Sequence, residues 1–493
     1  MKTSKWMASG ASAALALVLV SASPVMAWQG ATETSKIVRK NRAPVSNEVL
    51  RVNLPKAVEA TLENGLKVLI LEDDRQPIVS VQLNISGAGG LFEPSETIGL
   101  AGVTAQMLRD GTTTRSKQEI LEEVGRLGAT LSSSSGFGSA VAAINASGLS
   151  RNMDDWFDVM LDVLLHPTFP ESELEQLRQR TKVRLQQQRT SPGFLARERF
   201  NQAVFGDHPA AHVASTTESL DAMTTEAVAK WHRDRYAPQN SVLSIAGDVR
   251  ARDIVPKLNK LFAEWERTEL VEELPPDPVP AEAKKIFLVD RPNSAQTTLF
   301  MGNIVLDRRD PDYIALTVMN DVIGGGAASR LFINLREEKG YTYGAYSTFS
   351  ALKYPGAWNA FADVRTEVTD PAMTEFFNEI RRIREEAVPA SELDEVKRSI
   401  VAGFALSLEQ PAGLLRYSTI REIYEFADNY WDTYPAEIMA VTAEDVQRVA
   451  QMYLDPRSIQ VVAIGDAGQI KEVMEKYGTV ELYDQDGNVI PNP

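Results

Sequence analysis

The 493-residue chain contains no cysteine. That excludes disulfides, thiolate zinc sites, iron–sulfur clusters and a cysteine nucleophile, while saying little about redox compartment. Histidine is scarce, with four in the whole chain, so metal or acid–base chemistry based on imidazole has few residues to draw on. Cations are the minority charge: 51 Lys and Arg against 67 Asp and Glu give a formal charge of −16, the wrong sign for a chain whose main partner is a phosphate backbone. No nucleic-acid partner is expected. Long hydrophobic runs are also missing. The apolar run at residues 11–20 is too short for a bilayer span, which needs about 20 residues, and no later segment approaches that length. No stable membrane anchor is expected.

What is present is ordinary for a globular protein: 44% apolar and 24% charged residues, enough to bury sizeable cores, over a length that suggests two to four domains. Lys2 and Lys5 precede the 11–20 run, and Ser21, Ala22, Ser23, Val25 and Ala27 follow it. This is the pattern of a cleaved secretory signal peptide. Residues 1–27 are expected to be that signal, directing the chain to a bacterial periplasm, and residues 28–51 a flexible polar arm.

Prolines and acidic residues displace apolar periodicity at residues 272–285, which read as an extended linker. The linker separates residues 52–271 from 286–482, with 483–493 as a tail, and the two halves repeat one another. PESELEQ from Pro170 returns as PASELDE from Pro389, and TSPGFLAR around Pro192 returns as EQPAGLLR around Pro411. Thr224, Glu226 and Val228 return as Thr442, Glu444 and Val446, and Gly247-Asp248 as Gly465-Asp466, all at a spacing of 218 or 219 residues. Each half opens with alternating segments that read as paired strands, 66–71 with 78–85 and 285–289 with 296–302. Helical periodicities follow at 119–127, 153–165, 171–188, 371–386 and 391–408, and each half closes on a β-branched run, 241–245 or 459–464. The fold class is α+β: two homologous domains, each a sheet with helices packed on one face.

Residues 99–116, GLAGVTAQMLRDGTTTRS, are similar to the zinc-motif helix of the pitrilysin or insulinase peptidases, in the branch of processing-type enzymes. In active members this helix carries an inverted H-x-x-E-H motif. Gly102, Ala105 and Gln106 occupy the ligand, base and ligand positions, and the third ligand, a Glu in the family, falls on Lys182 or Val183. None of these can serve, so no metal and no cofactor is expected in this chain. The resemblance is most specific at GGGAASRLFINLREEKGYTYGAY, residues 324–346. It implies that Arg336 and Tyr343 reach the active site of a facing domain, and that Gly324, Gly325 and Gly326 form a flexible turn that touches substrate. Arg and Tyr keep their protons near neutral pH, so both can donate to the oxyanion of peptide hydrolysis. Gly340 between them lets the chain turn from helix to strand, so that both side chains can face one cavity. Read without the resemblance, the same pair is a structural Arg stacked on a core Tyr.

His208 and His212 are interrupted by Pro209, His166 sits at a helix end and His232 lies in an amphipathic segment; loop, capping or packing roles are expected for them. The resemblance implies half of a clamshell, one subunit of a heterodimeric metallopeptidase that cuts peptides and whose homologous partner subunit carries H-x-x-E-H and the zinc. The alternatives are a catalytically silent peptide-binding or scaffold homologue, and a stand-alone metallopeptidase with unrelated ligands.

Overall fold

A computed structural model describes residues 55–269, 274–409 and 411–491, with the side chains of 411 and 412 left aside. The expected signal peptide and arm lie outside the described residues. Six strands form the first sheet: β1 (Val58–Thr61), β2 (Lys67–Glu72), β3 (Ile78–Ser86), β4 (Thr130–Ser135), β5 (Val141–Leu149) and β6 (Ser241–Gly247), in the order β1-β2-β6-β3-β5-β4. Seven form the second: β7 (Ile286–Asp290), β8 (Gln296–Ile304), β9 (Thr342–Phe349), β10 (Ala357–Arg365), β11 (Gln460–Gly465), β12 (Val480–Tyr483) and β13 (Val489–Ile490), in the order β13-β12-β7-β11-β8-β10-β9. The run β2-β6-β3-β5-β4 has the same topology as β7-β11-β8-β10-β9, so the sequence repeat is one structural unit used twice.

Two expectations need correction. The alternating segments that open each half do not pair with each other. The closing strand inserts between them, β6 parallel to β2 and antiparallel to β3, and β11 likewise between β7 and β8. That strand is buried along its whole length in both halves, because it lies at the sheet centre with both faces covered. The described part of the expected tail, residues 483–491, instead turns back from β12 and adds β13 to the sheet, and the turn is held by first-half side chains. Arg189 and Arg199 each donate to its carbonyls, Gln485 and Gly487, at 3.1 Å, and the Arg199 guanidinium lies 3.7 Å from the Tyr483 ring centre.

The repeated words have local reasons. Pro170 and Pro389 each precede an 18-residue helix, Glu171–Gln188 and Ala390–Ser407, whose first apolar anchors Leu174 and Leu393 are buried. Arg178 and its counterpart Lys397 both donate from those helices to loop carbonyls, Leu220 and Met223 in one half and Met439 and Val441 in the other. Thr224 and Thr442 cap the helices Thr225–Arg235 and Ala443–Tyr453, and Val228 and Val446 bury fully one turn later.

Helices cover one face of each sheet. Val81, Leu83 and Ile245 meet Trp156, Phe157 and Phe262 in the first core, and Leu299, Met301 and Val461 meet Phe376 and Ile380 in the second. The opposite faces exchange helices between halves. Helix Pro192–Phe205 of the first half buries Phe194, Leu195 and Phe200 against Phe287, Ile304 and Val462 of the second sheet. Helix Pro411–Tyr424 of the second half returns Leu415 to Leu71 and Ala246 of the first, with Thr419 bonded to Ser244 at 2.7 Å. A further clasp joins the hairpins, where the buried Tyr354 hydroxyl donates to the Gly138 carbonyl at 2.8 Å. The 274–285 stretch between the halves has no regular structure.

Candidate functional site

Helix Leu100–Met107 carries the zinc-motif positions and packs beside β4, the edge strand of the first sheet. Gly102 and Gln106 lie on its half-exposed side, one turn apart, while Ala105 is buried. Ser133 Oγ donates to the Ala105 carbonyl at 2.5 Å. Arg109, one turn after Ala105, spans to β4 through Ser133 Oγ and the Leu131 carbonyl, both at 3.2 Å. The helix is thus tied to its neighbouring strand by neutral groups and one guanidinium. At the positions of the third ligand, Lys182 pairs with Asp221 at 2.6 Å and Val183 is exposed. A hydrogen atom, a methyl and an amide offer zinc no imidazole or carboxylate, and among the described residues no three His, Cys, Asp or Glu side chains group as a metal would require. These residues do not fit the zinc ion that the fold implies.

Glu93 is a member of this site that sequence reasoning missed. Its carboxylate accepts from the N–H groups of Gly99 and Ala101, both at 2.7 Å, and so caps the start of the helix. It sits six residues before the N-cap, Gly99, outside the spacing that local capping patterns cover. Burial pushes the Glu93 carboxyl up to about 7, against the pull of the backbone N–H groups.

Arg336 and Tyr343 belong to the corresponding edge of the second sheet, Arg336 just before β9 and Tyr343 within it. Arg336 lies in a wide π-type turn, Ile333–Glu338, that ends at Gly340 with φ 63°. The Gly340 N–H donates to the Arg336 carbonyl at 3.2 Å and the Tyr341 N–H to the Leu335 carbonyl at 2.9 Å. This is the expected turn from helix to strand, and only a residue free of Cβ crowding takes that φ cheaply. The Arg336 guanidinium stands 4.9 Å from the Phe332 ring centre and bonds Glu337 at 2.7 Å.

Tyr343 is 90% exposed, which rules out the core Arg–Tyr stack. The reason is a β-bulge: Ala345 pairs with Ala362 and Thr342 with Val364, leaving Tyr343 and Gly344 opposite the single residue Asp363. A bulge of this kind re-aims a side chain at a sheet edge. Thr342 holds it, its Oγ1 donating to the Gly344 carbonyl at 2.9 Å and accepting the Gly344 N–H at 3.1 Å.

Gly324, Gly325 and Gly326 join helix Tyr313–Ile323 to helix Arg330–Phe332, and the first of them is held against β9. The Gly324 carbonyl accepts the Ser347 N–H of β9 at 2.8 Å, and a Cβ on Gly324 would stand 2.2 Å from that nitrogen. Close approach of two backbones, rather than freedom, calls for glycine there. Gly326 alone has open space.

The histidines lie apart from both edges. His208 packs against Tyr354 with centroids 4.7 Å apart and the rings tilted by 51°, and burial lowers its pKa. His212 ends the 3-10 turn Pro209–Ala211, and burial lowers its pKa too. His232 is buried between Phe169 and Tyr236, with Nε2 2.8 Å from the Leu164 carbonyl, and burial drops it to about 4. His166 ends helix Met153–Leu165, 3.4 Å from Asp162.

Comparison with known proteins agrees with this fold. A family model described as Insulinase (Peptidase family M16) matches residues 67–217, and one described as Peptidase M16 inactive domain matches residues 222–400. An uncharacterized zinc protease of Bacillus subtilis (strain 168), YmxG, is 22% identical over 406 residues, covering 82% of this chain and 97% of the relative. One from Rickettsia felis is 27% identical over 337 residues, covering 66% and 79%. Among solved structures, a peptidase M16 inactive domain from Pseudomonas fluorescens superposes with a TM-score of 0.77 at 24% identity, covering 83% of this chain and 98% of that one. A protease from Helicobacter pylori gives 0.77 at 19% identity, covering 84% and 100%. At such identities the structural likeness is one of fold. With family models matching both halves, the chain belongs to the insulinase (M16) peptidase family, as a two-domain α+β member.

Proposed function

We propose that this chain is the non-zinc-binding subunit of a two-subunit periplasmic metallopeptidase, with a homologous exported partner holding H-x-x-E-H and the zinc. The observation that carries the reading is the Arg336 and Tyr343 pair. Both stand at the open edge of the second sheet, on a turn and a bulge that are built with care, and the Tyr343 hydroxyl is left in solvent. Peptide hydrolysis places negative charge on the former carbonyl oxygen, and two donors that stay protonated near neutral pH stabilise it. In this reading the first half supplies wall and dimer surface, and the second half supplies the donors. The partner's zinc supplies the water-activating chemistry.

The test is reconstitution. Mixed with an H-x-x-E-H homologue from the same compartment, the chain should form a heterodimer on size exclusion and yield chelator-sensitive peptidase activity that neither has alone. Full activity of the homologue by itself would make this chain dispensable and favour the silent peptide-binding or scaffold reading.

A further inference from the structure

The face of the second sheet turned from its own helices carries a line of aromatic residues that the first sheet lacks. Cross-strand register sets Tyr346 opposite Phe361, Phe361 opposite Phe300 and Phe300 opposite Val462. On the equivalent strands of the first sheet the same line reads Ser132, Asn145, Gln82 and Ser244. Four neutral polar residues therefore stand where the other half has three rings and a valine. Ring centroids are 6.1 Å apart for Tyr346 and Phe361 and 5.5 Å for Phe361 and Phe300. Phe332 extends the line at one end, 5.4 Å from Tyr346, and Phe200 of the helix lent by the first half closes it at the other, 6.2 Å from Phe300. Tyr346, Phe361 and Phe300 remain half-buried rather than sealed. The second sheet thus presents half-buried rings where the first presents amides and hydroxyls.

The line also connects two places. At the β9 end it meets the candidate site, since the Arg336 guanidinium stacks on Phe332 and the Tyr343 bulge is on the same strand as Tyr346. Two residues further along β8 and β10, Thr298 faces and bonds Asp363. With Ser191, Gly193, Arg291 and Asn293 these line a polar cavity of about 570 Å³, within the range of ligand pockets.

We propose that Tyr346, Phe361 and Phe300 form a side-chain platform that selects peptides bearing an aromatic or large aliphatic residue, with the peptide running from Arg336 and Tyr343 toward the cavity at Thr298 and Asp363. The proposal rests on the peptidase-subunit reading and names its substrate class. The row is uncharged and its rings offer faces and edges to another ring or an aliphatic chain.

The experiment is fluorescence anisotropy on the full chain with short labelled Gly/Ser peptides that differ at one central residue, Phe, Leu, Ser or Glu. The Phe and Leu peptides should bind about tenfold or more tighter than the Ser and Glu peptides. Phe361→Asn, which transplants the first-half residue, should reduce that preference to about twofold or less. Phe361→Leu keeps the site apolar and the fold intact, so it should retain the preference over Ser while removing any advantage of Phe over Leu. Equal binding of the four peptides, no binding of any, or an unchanged preference in Phe361→Asn with a native melting profile would overturn the platform. Catalysis by the reconstituted pair is read separately. Activity without apolar preference sinks the platform alone, and apolar preference without activity supports the platform while sinking the subunit reading.

Discussion

Replacing Tyr343 by Phe removes one hydroxyl from a ring that is 90% exposed and whose oxygen bonds nothing among the described residues. Phe suits an edge strand as well as Tyr does, and the bulge is held by Thr342 and main-chain atoms, so unfolding free energy should change by less than about 0.5 kcal/mol. The catalytic expectation is far larger. Loss of one oxyanion donor typically costs about 10²–10³ in kcat, or roughly 2.7–4 kcal/mol. The assay is steady-state kinetics of the reconstituted enzyme beside thermal unfolding of the chain alone. Arg336→Ala should cost as much or more in kcat, with a stability loss of about 1 kcal/mol at most, because its stack on Phe332 and its pair with Glu337 are both partly solvated. If the two donors serve one oxygen, the double variant should lose less than the sum. A rise in KM at constant kcat would reassign the pair to ground-state binding, and kcat/KM within about twofold of the parent in Tyr343→Phe would refute the oxyanion role.

The chain purified alone should hold no stoichiometric zinc, since Gly102, Ala105 and Gln106 offer no ligand; one tightly held zinc per chain by elemental analysis would contradict this. The Glu93 carboxyl is raised from 4.5 to about 7, so its contribution to stability is complete below about 4.5 and is lost as pH rises through 7, by at most about 3 kcal/mol. Glu93→Gln keeps an acceptor for the helix start and should abolish that slope; a parent and variant whose difference in denaturation midpoint is flat from pH 4 to pH 8 would show that the carboxyl does not titrate there. Tyr354→Phe leaves the buried Gly138 carbonyl without its donor and should cost about 1–3 kcal/mol in urea unfolding, so an unchanged midpoint would mean the clasp between halves is unimportant. Gly324→Ala places a Cβ against the Ser347 nitrogen, and an overpacking cost of about 1–3 kcal/mol should appear as a lowered melting temperature.

Residues whose role is set by near neighbours were legible in the chain itself. Helices Met153–Leu165 and Glu171–Gln188 coincide with their apolar periodicity, Thr224 and Thr442 cap where their words repeat, and Gly340 turns helix into strand, because caps, turns and one-sided burial act within a few residues. That Gly102, Ala105 and Gln106 offer no metal ligand was equally plain, since this is a matter of residue type. Tertiary structure alone decided that β6 and β11 slip between the opening strands, that helices Pro192–Phe205 and Pro411–Tyr424 cross to the other half, and that the C-terminal residues rejoin the sheet. It also decided that Glu93 caps a helix from outside its local frame and that a bulge turns Tyr343 into solvent. Alternation tells that a face is buried but not against what, so Phe361 and Asn145 become equivalents, one in a line of rings and one in a line of amides and hydroxyls, only when cross-strand register brings distant segments side by side.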